Sequence, residues 1–213
     1  LLLGGAVATF FTGSNFLVNK GNMGNELMPV ISSWANGWHG LDALTNPWNL
    51  VLGFAVLFLA RILGNLYFIN NIRDKELIPH CRCQLITDTI PFLILFLAFV
   101  IHTLLSDGFA VSPDTQEVYM EPYKYFMNFI DMPVLLVLFL IGVVGVLFGI
   151  GKSVFSKTFT NGIWFAGIGT VLTVLALLLC VGYNNTAYYP STADLQSSLT
   201  LANSCSSEFT LRV

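Results

Sequence analysis

An all-α, polytopic transmembrane helical bundle is the fold class that this sequence predicts, and three observations predict it. Of the 213 residues, 55% are hydrophobic and only 10% are charged, whereas soluble domains carry about 25% charged residues. So small a polar fraction cannot coat a water-soluble surface but suits a chain whose solvent is largely lipid. Four apolar stretches of ~19–22 residues are each long enough to cross ~30 Å of hydrocarbon at ~1.5 Å per residue. The segments between them alternate between basic and basic-poor, as hairpins threaded through a bilayer require. The net charge of -3, with no basic or acidic run, argues against a nucleic-acid partner.

The elements follow in chain order. Leu1 to Phe11 is an apolar run about half the length of a span. No basic n-region precedes it, so it does not read as a signal peptide. A polar segment, 12–47, leads to the first complete span, 48–69, where Asn46 suits an N-cap and Pro47 a first helical residue. The second span is 85–105. The third is 132–150, with Asp131 as the expected N-cap and Pro133 tolerated in the first turn. The fourth is 162–183. Near the far end, Ser206, Ser207 and Glu208 resemble a helix start, with a capping hydroxyl and an acid in the first turn. The expectation is therefore four complete spans with a partial helix at each end, cut from a larger membrane domain.

Loop charges set the expected orientation. Segment 70–84 holds Arg73, Lys75 and Arg82, and segment 151–161 holds Lys152 and Lys157. Segments 12–47, 106–131 and 184–213 hold one basic residue each: Lys20, Lys124 and Arg212. By the positive-inside rule the first two face the cytoplasm and the other three are external. The external segments are rich in aromatics: Trp34, Trp38 and Trp48, then Tyr119, Tyr123 and Tyr125, then Tyr183, Tyr188 and Tyr189. They read as an aromatic belt at headgroup depth, the alternative being a surface for a quinone headgroup or a partner subunit.

Ionisable residues inside the spans are the candidate functional groups, because each is costly in hydrocarbon. Arg61 lies thirteen residues after Trp48, and Asp88 lies near the inner end of the next span. Measured from span ends at Ile69 and Leu85, their depths differ by about 6–8 Å, which an arginine side chain can bridge. An interhelical ion pair is expected, structural first and a part of a proton path second. His102, near the outer end of the second span, reads as a packing residue rather than a haem ligand, because no matching histidine or methionine accompanies it. His39 lies in an external segment. Cys81 and Cys83 could form half a metal site, but a lone Cys-x-Cys is weak, and with Cys180 and Cys205 they do not outline a disulfide framework. Gly4 and Gly5, Gly142 and Gly145, and Gly167 and Gly169 are expected to permit close helix contact.

Several runs of residues resemble a known family. Ala6-Val7-Ala8-Thr9-Phe10-Phe11-Thr12-Gly13 leads into the first external segment. Ala35-Asn36-Gly37-Trp38-His39-Gly40-Leu41-Asp42-Ala43-Leu44 runs into Thr45-Asn46-Pro47-Trp48-Asn49-Leu50, and Asn128-Phe129-Ile130-Asp131-Met132-Pro133-Val134-Leu135 opens another span. The tail reads Tyr189-Pro190-Ser191-Thr192, Ser198-Leu199-Thr200 and Ser206-Ser207-Glu208-Phe209-Thr210-Leu211. Together these resemble subunit II of cytochrome bd ubiquinol/menaquinol oxidase, of the type found in Bacteroidetes, along essentially the whole chain. The resemblance places it between the end of the fourth helix and the start of the ninth.

That resemblance implies a complex in the bacterial cytoplasmic membrane that oxidises quinol, reduces dioxygen to water and takes protons from the cytoplasm without pumping. It implies that haems b and d belong to subunit I, the partner in a heterodimer. Subunit II is then the accessory chain, needed for assembly, supporting a proton route and able to hold a structural quinone. The acidic residues usually assigned to that route fall in earlier helices, so none is carried onto this sequence. From the residues alone, a secondary transporter or channel using Arg61 and Asp88 is the alternative, although no complete span is broken mid-membrane by a Gly/Pro pair. A purely structural assembly protein is a third reading.

Overall fold

The computed structural model describes residues 1–19 and 32–201. Helix α1 (Leu2–Thr12) is followed by a short hairpin, β1 (Phe16–Val18) with β2 (Ser32–Trp34). Four long helices follow: α2 (Pro47–Asn71), α3 (Leu77–Leu105), α5 (Pro133–Phe155) and α6 (Gly162–Gly182). All four are long and apolar enough to cross a membrane. Between α3 and α5 lie a second hairpin, β3 (Gly108–Val111) with β4 (Val118–Glu121), and the short helix α4 (Lys124–Asp131). The polytopic helical bundle predicted from composition and span length is thus the architecture observed. The expected helix start at Ser206–Glu208 lies outside the described residues.

Caps and burial explain the helix boundaries. Asn46 Oδ1 accepts from Trp48 N at 3.0 Å and Pro47 occupies the first helical position. The second span extends two turns further back than its apolar run, to Leu77. Asp74 Oδ1 accepts from Glu76 N at 2.8 Å and Leu77 N at 2.9 Å, and these bonds start the helix in water before the hydrophobic residues begin. Asp131 is not the cap of α5. It ends α4, Met132 fills the cap position without a side-chain bond, and Asp131 Oδ2 accepts from Asn184 Nδ2 at 3.0 Å instead. α5 also runs past Ile150 to Phe155.

Each helix turns large apolar side chains outward at helical spacing. On α3 these are Ile86, Ile90, Ile94, Leu97, Ile101 and Leu105, and α5 and α6 present similar faces. In water such faces would be unbalanced, whereas lipid makes them neutral. The interior is a continuous cluster that includes Ile62, Leu66, Leu85, Phe99, Val146 and Ala166. α5 and α6 meet through small residues. A Cβ on Gly142 would lie 2.8 Å from Gly169 O, and one on Gly149 would lie 2.6 Å from Gly162 O, so larger residues would force the backbones apart. Gly145 sits at ordinary contact distance, and Gly167 faces open space.

The segments at one end of the bundle form a cap. Isolated bridges join Ser14 to Ser191, Ala110 to Thr186 and Tyr189 to Leu199, and a small apolar core gathers Phe109, Val111, Val118 and Ala187. Gly13, with φ +86°, turns the chain out of α1. A Cβ there would meet the Thr192 methyl at 2.7 Å.

Candidate functional site

The strongest polar feature within the bundle lies between α2 and α3. Arg61 Nη2 is 3.1 Å from Asp88 Oδ1, and Arg61 Nε donates to Asp88 Oδ2 at 3.1 Å. This two-point fork fixes the guanidinium plane as well as its position. Asp88 is 1% exposed and accepts two further bonds, from Gln84 Nε2 at 3.2 Å and Asn65 Nδ2 at 3.5 Å. Its carboxylate is therefore surrounded by donors from both helices, as a buried charge requires.

The spacing produces this geometry directly. Arg61 and Asn65 are four residues apart on α2, and Gln84 and Asp88 are four apart on α3, so each pair shares a helix face. Arg61 lies ten residues, about 15 Å, from the C-terminal end of α2, and Asp88 lies eleven residues, about 16 Å, from the start of α3. The two groups sit at nearly one level. The expected 6–8 Å offset is absent because α2 ends at Asn71 and α3 starts at Leu77. Asn65 and Gln84 were missed by a search for charges alone. Pro91 was missed too: it lies within α3 one turn beyond Asp88 and has no N–H for the carbonyl of Thr87.

His102 belongs elsewhere. Its ring lies against Trp48, with centroids 3.8 Å apart, where the C-terminal end of α3 meets the N-terminal end of α2. His80 lies 22 residues earlier on α3, about 33 Å away along the axis, and His39 sits in a left-handed turn of the cap at φ 49°. His80 and His102 therefore lie at opposite ends of α3. Cys81 is buried and Cys83 exposed on one helix, as residues two apart point in different directions. Among the described residues no three His, Cys, Asp or Glu side chains converge. Cys205 lies outside the described residues.

Two further polar clusters secure the helix ends. Near the start of α3, the Arg82 guanidinium donates to the carbonyls of Ser153, Ser156 (2.6 Å), Lys157 (3.1 Å) and Phe159 (3.4 Å). It thereby caps the C-terminus of α5 from α3, satisfying carbonyls that no helical N–H reaches. At the opposite end of the bundle, buried Asn128 donates to Cys180 O and Thr186 Oγ1, both at 2.9 Å, and accepts from Asn184 at 3.0 Å. Tyr125 donates to Phe11 O at 3.2 Å, and burial pushes its phenol well above the usual range. An apolar cavity of about 100 Å³ opens among α1, α2, α3, α5 and α6, beside Phe11, Leu52, Phe96, Val146 and Leu177.

The family model for cytochrome bd terminal oxidase subunit II matches residues 1–213. No curated protein matches the chain.

Proposed function

Because the chain belongs to the cytochrome bd terminal oxidase subunit II family, and so to a component of an oxidoreductase complex, we propose that it is the accessory membrane subunit of a quinol:oxygen oxidoreductase. In this reading the partner subunit carries haems b and d, and this chain supports assembly and proton uptake from the cytoplasm. The observation that carries it is the family match along all 213 residues of a chain with four helices fit to cross a membrane.

The polar node suits the accessory role. The Arg61–Asp88 pair holds α2 and α3 in register, and its cluster of protonatable and amide groups is the natural place for a proton to be held within these spans. The apolar cavity has no free polar group to orient a headgroup, since Thr170 and Thr173 bond back to Ala166 O and Gly169 O. It suits the hydrocarbon tail of a lipid or structural quinone. The basic ends of α3 and α5 face the cytoplasm of a bacterium in this reading, and the β-hairpin cap faces outward.

The test is purification of the full-length protein in detergent with its neighbours. The expected preparation contains a second membrane subunit, shows haem b and d absorbance and consumes oxygen with quinol. A haem-free preparation of this chain alone, active in substrate uptake by proteoliposomes without quinol, would overturn the reading in favour of a transporter. A thiol label that reaches a cysteine introduced into segment 106–131, as in Asp114→Cys, only from the cell interior would reverse the orientation.

A further inference from the structure

The Arg61 side chain is held tightly on one edge and open on the other. Its Nε and Nη2 are both committed to Asp88, yet the side chain is 50% exposed. Among the described residues none accepts from its Nη1. The lock on Asp88, which is itself held by Gln84 and Asn65, prevents the guanidinium from reaching the aqueous boundary about 15 Å away at the end of α2. An open guanidinium edge at that depth has no acceptor in lipid.

The other outward faces differ. Those of α3, α5 and α6 at this depth are built mainly from Ile, Leu, Val and Phe, which hydrocarbon satisfies, and the exposed Thr87 of α3 turns its hydroxyl back onto Cys83 O. On α2, Phe54, Arg61 and Phe68 repeat at seven-residue spacing along one exposed face. Beside Arg61 on the same helix, Gly64 has nothing within 4 Å of where its Cβ would be, so another backbone can approach closely there. Charge complementarity therefore selects a proteinaceous occupant that brings an oxygen.

We propose that the α2 face around Arg61 docks the partner oxidase subunit, through a transmembrane helix that places an acceptor oxygen against Arg61 Nη1 at mid-membrane depth. The proposal rests on the accessory-subunit reading above. The chemistry required of the partner is a carboxylate, a hydroxyl or a helix carbonyl freed from its own ladder. The Asp88 side of the guanidinium then belongs to the fold of this chain, and the Nη1 side belongs to the complex.

The experiment uses the intact complex. A photo-crosslinking side chain is placed at Gly64 or Phe68, and as a control at Val144 on the outward face of α5. Position 64 or 68 is expected to cross-link to the haem-bearing subunit, and position 144 is not. In parallel, Arg61→Lys keeps a counter-charge for Asp88 but gives up the planar fork. It is expected to make the complex dissociate about tenfold faster in detergent, as losing one bond to a charged group implies. Cross-links only to lipid, or only within this chain, in complexes that retain haem b and d absorbance would overturn the inference and leave the functional reading standing. If no haem-bearing subunit accompanies even the unaltered chain, both fall.

Discussion

α5 and α6 approach until backbone meets backbone, with Gly142 against Gly169 and Gly149 against Gly162. α2 and α3 are tied instead by a charged fork and two amides. Both are hairpins that cross the same thickness, and lipid offers neither of them a hydrophobic force that favours helix contact over solvent contact. The first pair gains dispersion from close surfaces and demands no desolvation. The second desolvates two charges, a cost that mutual attraction offsets only when geometry is good. α5 and α6 pack through a glycine seam with no ion pair between them among the described residues. The polar joint of α2 and α3 therefore calls for a reason beyond adhesion, and the open edge of Arg61 supplies one.

The largest effect should come from breaking the polar joint on one side. Arg61→Met leaves Asp88 buried without a counter-charge, and about 3–5 kcal/mol of stability should be lost, read as a lower midpoint in an SDS unfolding titration. Pairing Arg61→Met with Asp88→Leu should restore most of that loss, because apolar replacement of a whole buried pair is often close to neutral. Strictly additive single and double variants would mean that the two side chains do not act together. The small-residue joint should fail differently. Gly169→Val drives a side chain into Gly142 O and Val146 N, which would lie 2.6 and 2.7 Å from its Cβ, at a cost of about 1–3 kcal/mol. Gly167→Ala, which meets open space, should change the midpoint by less than about 0.5 kcal/mol. Equal losses at 167 and 169 would show that packing elsewhere joins α5 to α6.

The two joints were unequally legible in the sequence. Span number, the apolar class of the fold and the two charged residues stand out against a background with only 10% charge. The phase of each helix does not, because a helix apolar on most faces carries no stripe to mark its inner side. Gly167 was therefore singled out with Gly169, whereas Gly149 and Gly162, which make the close contact, were not. Hydropathy placed the start of the second span at Leu85, since it responds to side chains. The helix starts at Leu77 because Asp74 organises the backbone there. The amides of Asn65 and Gln84 were overlooked for want of charge, although their four-residue spacing from Arg61 and Asp88 was readable. The cap was not readable at all: its three- and four-residue strands and bridges such as Ser14 to Ser191 depend on contacts far apart in sequence.

Smaller effects should come from the two ends of the bundle, and their pH dependence has opposite sign. Tyr125→Phe removes one bond to Phe11 O, for about 1 kcal/mol. Its phenol, raised by burial, keeps its proton when the unfolded chain ionises near ~10. That contribution is complete below ~10 and is lost as pH rises towards the folded value, so the native protein should lose stability above pH ~10 more steeply than Tyr125→Phe. Asp74 behaves in reverse. The N–H groups of Leu77 and Glu76 hold its carboxyl below the ordinary range, so its contribution is present above the ordinary carboxylate pKa and is lost as pH falls through the lowered folded value. The group is fully exposed, and the consequence should stay local. The protection of the Glu76 and Leu77 amides, relative to intrinsic exchange at the same pH, should fall on acidification, and Asp74→Ala should reproduce that loss of protection at neutral pH. Exchange at Leu85 and beyond should not follow, because from there the α2–α3 joint is held by Asp88 and its donors rather than by the cap. If acidification or Asp74→Ala also loosened the helix around Asp88, the cap and the joint would be one cooperative unit, and the polar node could no longer be treated as the independent lock between α2 and α3.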